Sequence, residues 1–177
     1  MRQVVLLRGI NLGPTNRVPM PALRGLLGDR GFSEIGTYLQ SGNVVLSSDL
    51  SPPRLAAKCK AAVADAFGLD IEVLVRSRDE LATVIARNPL ADVADNPKRY
   101  QVTFLERELD REAVDALESL ASPSERVVAL DREVYAWHPD GVARSRLWAR
   151  LGAKRLGVVG TSRNWSTVMA LLEMADA

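Results

Sequence analysis

The chain has 177 residues, 47% of them hydrophobic and 25% charged, with a formal net charge of +1. That is the balance of a globular protein with a real core, and it excludes a global basic field that would draw nucleic acid or anionic lipid. Any anion site must be local. The single cysteine, Cys59, excludes an intrachain disulfide and fits a reducing compartment.

The first strand is V-V-L-L (Val4 to Leu7), a continuous apolar run suited to burial on both faces. Only four apolar residues precede Arg8, too few for a signal core. No later stretch reaches membrane-spanning length. The expected location is the cytoplasm, with no membrane partner. After a glycine-bearing loop, Met20, Leu23, Leu26 and Leu27 mark a helix face, with Pro21 in its first turn and Gly31 as its stop. I-G-T-Y-L-Q and N-V-V-L-S-S flank Ser41-Gly42 as a hairpin. A second helix follows Pro53 with Leu55, Cys59, Val63 and Phe67 on one face, closed by Gly68. I-E-V-L-V (Ile71 to Val75) alternates like a strand. The order is β-α-β-β-α-β, a ferredoxin-like half.

S-R-D-E (Ser77 to Glu80) is a capping box opening a third helix. The polar stretch Asn88 to Lys98, with its two prolines, reads as a connection. Q-V-T-F-L begins a second series. Ala113, Val114, Leu117 and Leu120 share a helix face, and R-V-V-A-L and V-Y-A-W-H are strands joined at Asp131-Arg132. A short helix near 143–151 and a weak strand at Val158-Val159 complete a second β-α-β-β-α-β. The fold expected is therefore α+β: two ferredoxin-like halves packed as one compact domain over 1–177. The first half covers about 1–76, the link 77–98, the second half 99–160, and a C-terminal helix 163–175.

Several chemistries lack their residues. His138 is the only histidine, with no second histidine or cysteine for a zinc site. At a strand end it is expected half-exposed. Cys59 lies on an apolar helix face and is expected buried. No Walker, dinucleotide or EF-hand motif occurs. No metal and no cofactor is expected, and no catalytic residue can be named.

Topology singles out the polar loops. In a split βαβ sheet strands one and two run parallel, so the loop after Arg8 and the hairpin Gln40-Ser41-Gly42-Asn43 share one edge. Arg8, Asn11, Ser41 and Asn43 would converge there beside glycine-rich backbone, a setting suited to phosphate or carboxylate. The alternative is that these side chains bond the loops to each other. In T-S-R-N-W-S-T (Thr161 to Thr167), Trp165, Val168, Met169 and Leu172 stand at helical spacing, which makes Trp165 a core residue. Thr161 or Ser162 is the natural N-cap. Arg163, with Asn164 beside it, would then face the positive end of a helix dipole, offset by a carboxylate or a bound anion. Around S-R-L-W (Ser145 to Trp148), Leu147 and Leu151 read as buried, with Arg144, Arg146 and Arg150 on the other sides.

The blocks L-L-R-G-I-N-L-G, T-Y-L-Q-S-G-N-V-V, S-R-D-E-L, V-T-F-L, W-H-P-D-G-V-A-R-S-R-L and T-S-R-N-W-S-T-V resemble, in order, a bacterial family catalogued as domain of unknown function 1697. The resemblance implies a two-part α/β protein of ferredoxin-like character and carries no activity, cofactor or catalytic residue with it. Pro14 stands where the family usually has a second glycine, which stiffens the first loop. Arg146 stands where it usually has lysine.

Three functions follow as expectations. The first is binding of a phosphate-bearing small molecule or nucleotide through Arg8, Asn11, Ser41, Asn43, Arg146, Arg163 and Asn164. The second is a transferase or hydrolase acting on a phosphorylated substrate. The third is a structural or protein-interaction module in which the loops are mutual tethers. Net charge gives nucleic acid no support, and the oligomeric state is open.

Overall fold

The computed structural model describes residues 1–177, apart from the side chain of Arg155. The chain divides into two units, one of residues 1–83 with 169–177 and one of residues 84–168.

The first unit is built on β1 (Arg2–Leu7), α1 (Met20–Asp29), β2 (Ser33–Tyr38), β3 (Asn43–Ser47), α2 (Pro52–Phe67), β4 (Val73–Ser77) and the start of α3 (Arg78–Arg87). Its sheet has the order β2-β3-β1-β4 with antiparallel neighbours, the ferredoxin-like arrangement. The run Val4 to Leu7 takes the central strand because each of its residues is at most 1% exposed. Val5 and Leu7 face α1 and α2, where Leu23, Leu27, Leu55, Cys59 and Val63 complete the core. Burial pushes the Cys59 thiol up to about 12, so it acts as a small hydrophobe.

The strand expected at Ile71 to Val75 runs instead from Val73 to Ser77, because β1 offers it partners from Leu7 back to Gln3. Arg76, 2% exposed, is thus inside a strand. The capping box at Ser77 forms as expected: the Ser77 amide donates to Glu80 (2.7 Å) and the Glu80 amide to the Ser77 hydroxyl (3.1 Å).

The second unit holds β5 (Tyr100–Leu105), α4 (Arg111–Leu120), β6 (Arg126–Leu130), β7 (Glu133–Trp137), α5 (Arg146–Leu151), a 3-10 turn (Lys154–Leu156) and β8 (Gly160–Asn164). Its sheet, β6-β7-β5-β8, repeats the first topology. Leu105, Leu117, Val134, Ala136, Leu147 and Leu151 form its core with the helices. The weak strand lies at Gly160–Asn164 rather than Val158-Val159, paired residue by residue with β5 from Leu105↔Gly160 to Gln101↔Asn164. Gly160 fits there because a Cβ would stand 3.0 Å from Leu105 Cδ2 and 3.2 Å from Thr103 Cγ2.

The last helix, α6 (Trp165–Asp176), begins in the second unit and ends in the first. Within the first unit, Arg2 donates to the Met174 carbonyl (3.0 Å) and Arg78 to Asp176 (2.6 Å). Among the described residues no helix is long and apolar enough to cross a membrane.

Candidate functional site

The loop after β1 and the β2–β3 hairpin do meet. Leu7 donates its amide to the Gly42 carbonyl (2.9 Å), and the Asn11 side chain donates to the Gln40 carbonyl (2.7 Å). Asn11 sits at φ 56°, a left-handed conformation that asparagine tolerates. Its amide also donates to the Val18 carbonyl (2.8 Å) and its oxygen accepts from the Val18 amide (2.9 Å). Asn43, fully buried, donates to the Tyr38 carbonyl (3.1 Å) and the Ser41 hydroxyl (3.0 Å). The Arg8 amide is held by the Glu72 carbonyl at 2.9 Å, and the residue is half-buried. The asparagine side chains here fasten two loops to each other and to the sheet.

T-S-R-N-W-S-T begins as a strand, and its cap comes later than expected. Thr161, Ser162, Arg163 and Asn164 belong to strand β8, and the N-cap is Asn164, whose side chain accepts the Thr167 amide at 2.9 Å. Neither Thr161 nor Ser162 caps the helix, and Arg163 does not occupy its first turn. The dipole conflict expected for that arginine therefore does not arise. Ser162 bonds across the sheet to Thr103 (2.6 Å). Arg163 is 8% exposed and donates to the Thr161 hydroxyl (2.7 Å) and the Ser162 carbonyl (2.8 Å). Burial, which penalises the charged form, brings its pKa down to about 10. Trp165, expected in the core, is half-buried and stacks on Tyr100 with ring centroids 4.9 Å apart. Met169, expected on the same buried face, is 46% exposed, and Leu171 is buried instead.

The second unit contains a pocket of about 650 Å³, lined by the end of α4, Ser122, Glu125, Asp140 and residues 143–146. Two of its lining residues, Glu125 and Ser145, belong to a polar cluster that reaches inward to His138. His138, expected half-exposed, is fully buried beyond the end of β7, with its Nδ1 against Glu125 and its ring edge-on to Trp148 at 5.7 Å. Its Nε2 is buried and has no hydrogen-bond partner among the described residues. The Ser145 hydroxyl donates to the same Glu125 oxygen (2.6 Å), and the Ser122 amide donates to the other (3.1 Å). Burial would raise the Glu125 pKa, but the hydrogen bonds from Ser145, His138 and Ser122 outweigh it and hold the carboxyl below its ordinary value.

The cluster is not arranged as a nucleophile relay. Both Ser145 and His138 Nδ1 bond to the same Glu125 oxygen, so the 3.4 Å contact between Ser145 Oγ and that Nδ1 is shared with the carboxylate, and the Ser145 oxygen also accepts the Trp148 amide at 3.0 Å as the N-cap of α5. What lies open on the pocket is Arg144 and Arg146, both exposed, and Asp140, whose carboxylate accepts from Ser124 at 2.9 Å. Of the seven expected ligand donors only Arg146 lines this pocket. Glu125 and Asp140 escaped the sequence reading, although S-P-S-E (Ser122 to Glu125) has the spacing of the Ser122–Glu125 bond now seen.

The profile of the protein family of unknown function DUF1697 matches residues 1–135. The chain belongs to that family. No match to a curated protein was found. Among solved structures, the conserved bacterial protein SP0830 from Streptococcus pneumoniae aligns over 98% of each chain with a TM-score of 0.79 and 24% identity. That likeness extends the duplicated fold across the whole of this DUF1697 chain, including the residues after 135.

Proposed function

We propose that this DUF1697 protein binds a small phosphate-bearing molecule in the pocket of its second unit. The observation that carries the reading is the pair of exposed guanidiniums, Arg144 and Arg146, standing on one pocket. Arginine suits a phosphate because its planar fork donates two parallel hydrogen bonds. The Glu125 charge works against an anion, but both of its oxygens already accept bonds within the protein and the residue is buried, whereas Arg144 and Arg146 are exposed. Asp140 adds an acceptor suited to a sugar hydroxyl, which favours a sugar phosphate or nucleotide over a bare anion. Asn11, Asn43 and Asn164 hold loops and a helix end, whereas Arg146 and Arg144 stand on an open pocket.

A thermal-shift titration with inorganic phosphate, ribose 5-phosphate and adenosine monophosphate, each beside its unphosphorylated counterpart where one exists, tests it. The phosphorylated compounds should raise the midpoint, and the double substitution of Arg144 and Arg146 to alanine should abolish the rise. A rise that survives the double substitution and disappears in Arg8→Ala would move the ligand to the first unit. No rise with any compound would remove the proposal.

A further inference from the structure

Leu12 and Leu39 are 81% and 59% exposed at one end of the first sheet. Their loops are joined where the Asn11 side chain bonds the Gln40 carbonyl at 2.7 Å, one residue from each. The fold gains nothing visible from Leu39. Its φ of 56° is a left-handed conformation that costs a branched side chain on the order of 1 kcal/mol. Asparagine or glycine would adopt it at less cost. Both loops are held firmly: Asn11 donates twice and accepts once, and Asn16 donates to the Gly9 carbonyl at 3.3 Å.

Leu39 also lines an open groove of about 770 Å³ between α1 and β2, together with Met20, Phe32 and Ile35 and with exposed Arg24. α1 carries Gly25 and Gly28 on this groove. A Cβ at Gly25 would meet nothing within 4 Å, so internal packing does not require the residue that weakens the helix there.

The charge around this end leans positive: Asp70 and Glu72, just before β4, are both taken up by Lys60 at 3.3 and 3.0 Å, and Asp29 stands at the far end of α1. Residues 8–28 contain three arginines and no Asp or Glu, and residues 36–48 contain no charged residue. The one carboxylate on the groove, Glu34, is taken up by Arg2 at 3.8 Å and by the Ser47 hydroxyl.

We propose that this end of the first unit docks an acidic, amphipathic segment of a partner protein. Its apolar side chains would seat on Leu12, Leu39 and the groove, with its carboxylates toward Arg17 and Arg24. Charge complementarity selects an acidic occupant, and the groove selects one with side chains to insert. A bilayer is disfavoured because the exposed large apolar residues include no aromatic anchor of the kind interfaces attract.

The test titrates the isotope-labelled full chain with a synthetic leucine–glutamate amphipathic peptide, with its leucine–lysine counterpart, and with phosphatidylserine vesicles. The acidic peptide should move amide resonances of residues 11–13 and 35–40. Leu39→Asn should weaken it about tenfold, or ~1.4 kcal/mol, without lowering the thermal midpoint. Arg24→Glu should transfer preference to the lysine peptide. Equal binding of the two peptides, no binding of the acidic one, or binding indifferent to both substitutions overturns the proposal. Vesicle binding that the acidic peptide does not compete away assigns the surface to membrane instead.

Discussion

Ser145 gives its hydroxyl proton to Glu125 at 2.6 Å and takes the Trp148 amide at 3.0 Å, so one oxygen both caps α5 and satisfies a buried carboxylate. Losing an N-cap costs about 0.5–2 kcal/mol. Leaving a buried acceptor short of a donor adds on the order of 1 kcal/mol. Ser145→Ala should therefore destabilise the protein by roughly 2 kcal/mol in urea, and Ser145→Thr by much less. A loss in Ser145→Ala no larger than that of the threonine variant would show that the hydroxyl bonds contribute little.

The same carboxylate sets a pH dependence. The carboxyl of Glu125 is held below its usual 4.5 because the bonds from Ser145, His138 and Ser122 outweigh burial. A group depressed in the folded state contributes stability above its unfolded pKa and loses it as pH falls through the folded value. The contribution should be complete at neutral pH and fade below about pH 4. Glu125→Gln should be less stable than the parent near neutrality and lose less on acidification. Midpoints measured for both proteins across that range give the answer, and parallel curves would contradict it.

Two glycines separate conformational strain from crowding. Gly42 has φ 82°, and a Cβ there would lie 2.7 Å from Leu7 Cβ, a backbone-anchored atom that cannot swing away. Gly9 has φ 69°, and a Cβ would meet nothing within 4 Å. Gly9→Ala should cost about 1–2 kcal/mol, the left-handed penalty alone. Gly42→Ala should cost that and roughly 1–3 kcal/mol more for the forced shift of the β1 end. Chemical denaturation of the two variants should show that order, and equal losses would mean the hairpin moves freely.

What could be read from the sequence was local in origin. The Val4 to Leu7 run, the Leu55–Cys59–Val63 face and the Ser77–Glu80 box declare themselves within a few residues, and each stands in the structure as read. β8 did not declare itself. T-S-R-N has no apolar alternation, and it is a strand only because β5, some sixty residues earlier, offers it hydrogen-bond partners. Once those residues pair, Asn164 rather than Thr161 or Ser162 is left to cap α6, and Arg163 is buried in a sheet. The Glu125–His138–Ser145 cluster was hidden for a similar reason. Its members come from three separate turns, and only the closing of β6 on β7 brings Glu125 to His138. Topology did carry the meeting of R-G-I-N with Q-S-G-N, since parallel β1 and β2 must end on one side of the sheet.

The Asn11 side chain ties those loops together, and its contribution can be divided. Asn11→Gly keeps the left-handed backbone while removing the bonds to Val18 and Gln40. At a net ~1 kcal/mol per bond, discounted for partial exposure, it should cost about 2 kcal/mol. Asn11→Ala removes the same bonds and adds the left-handed penalty of about 1–2 kcal/mol. The alanine variant should therefore be the less stable of the two, and hydrogen exchange should quicken at the Val18 amide in both. That amide accelerates because its acceptor is the Asn11 oxygen at 2.9 Å. The Leu7 amide, held by the Gly42 carbonyl, should keep its protection, since that bond belongs to the sheet end rather than to the side-chain tether. Loss of protection at Leu7 as well would show that Asn11 holds the whole edge together and not only its own loop.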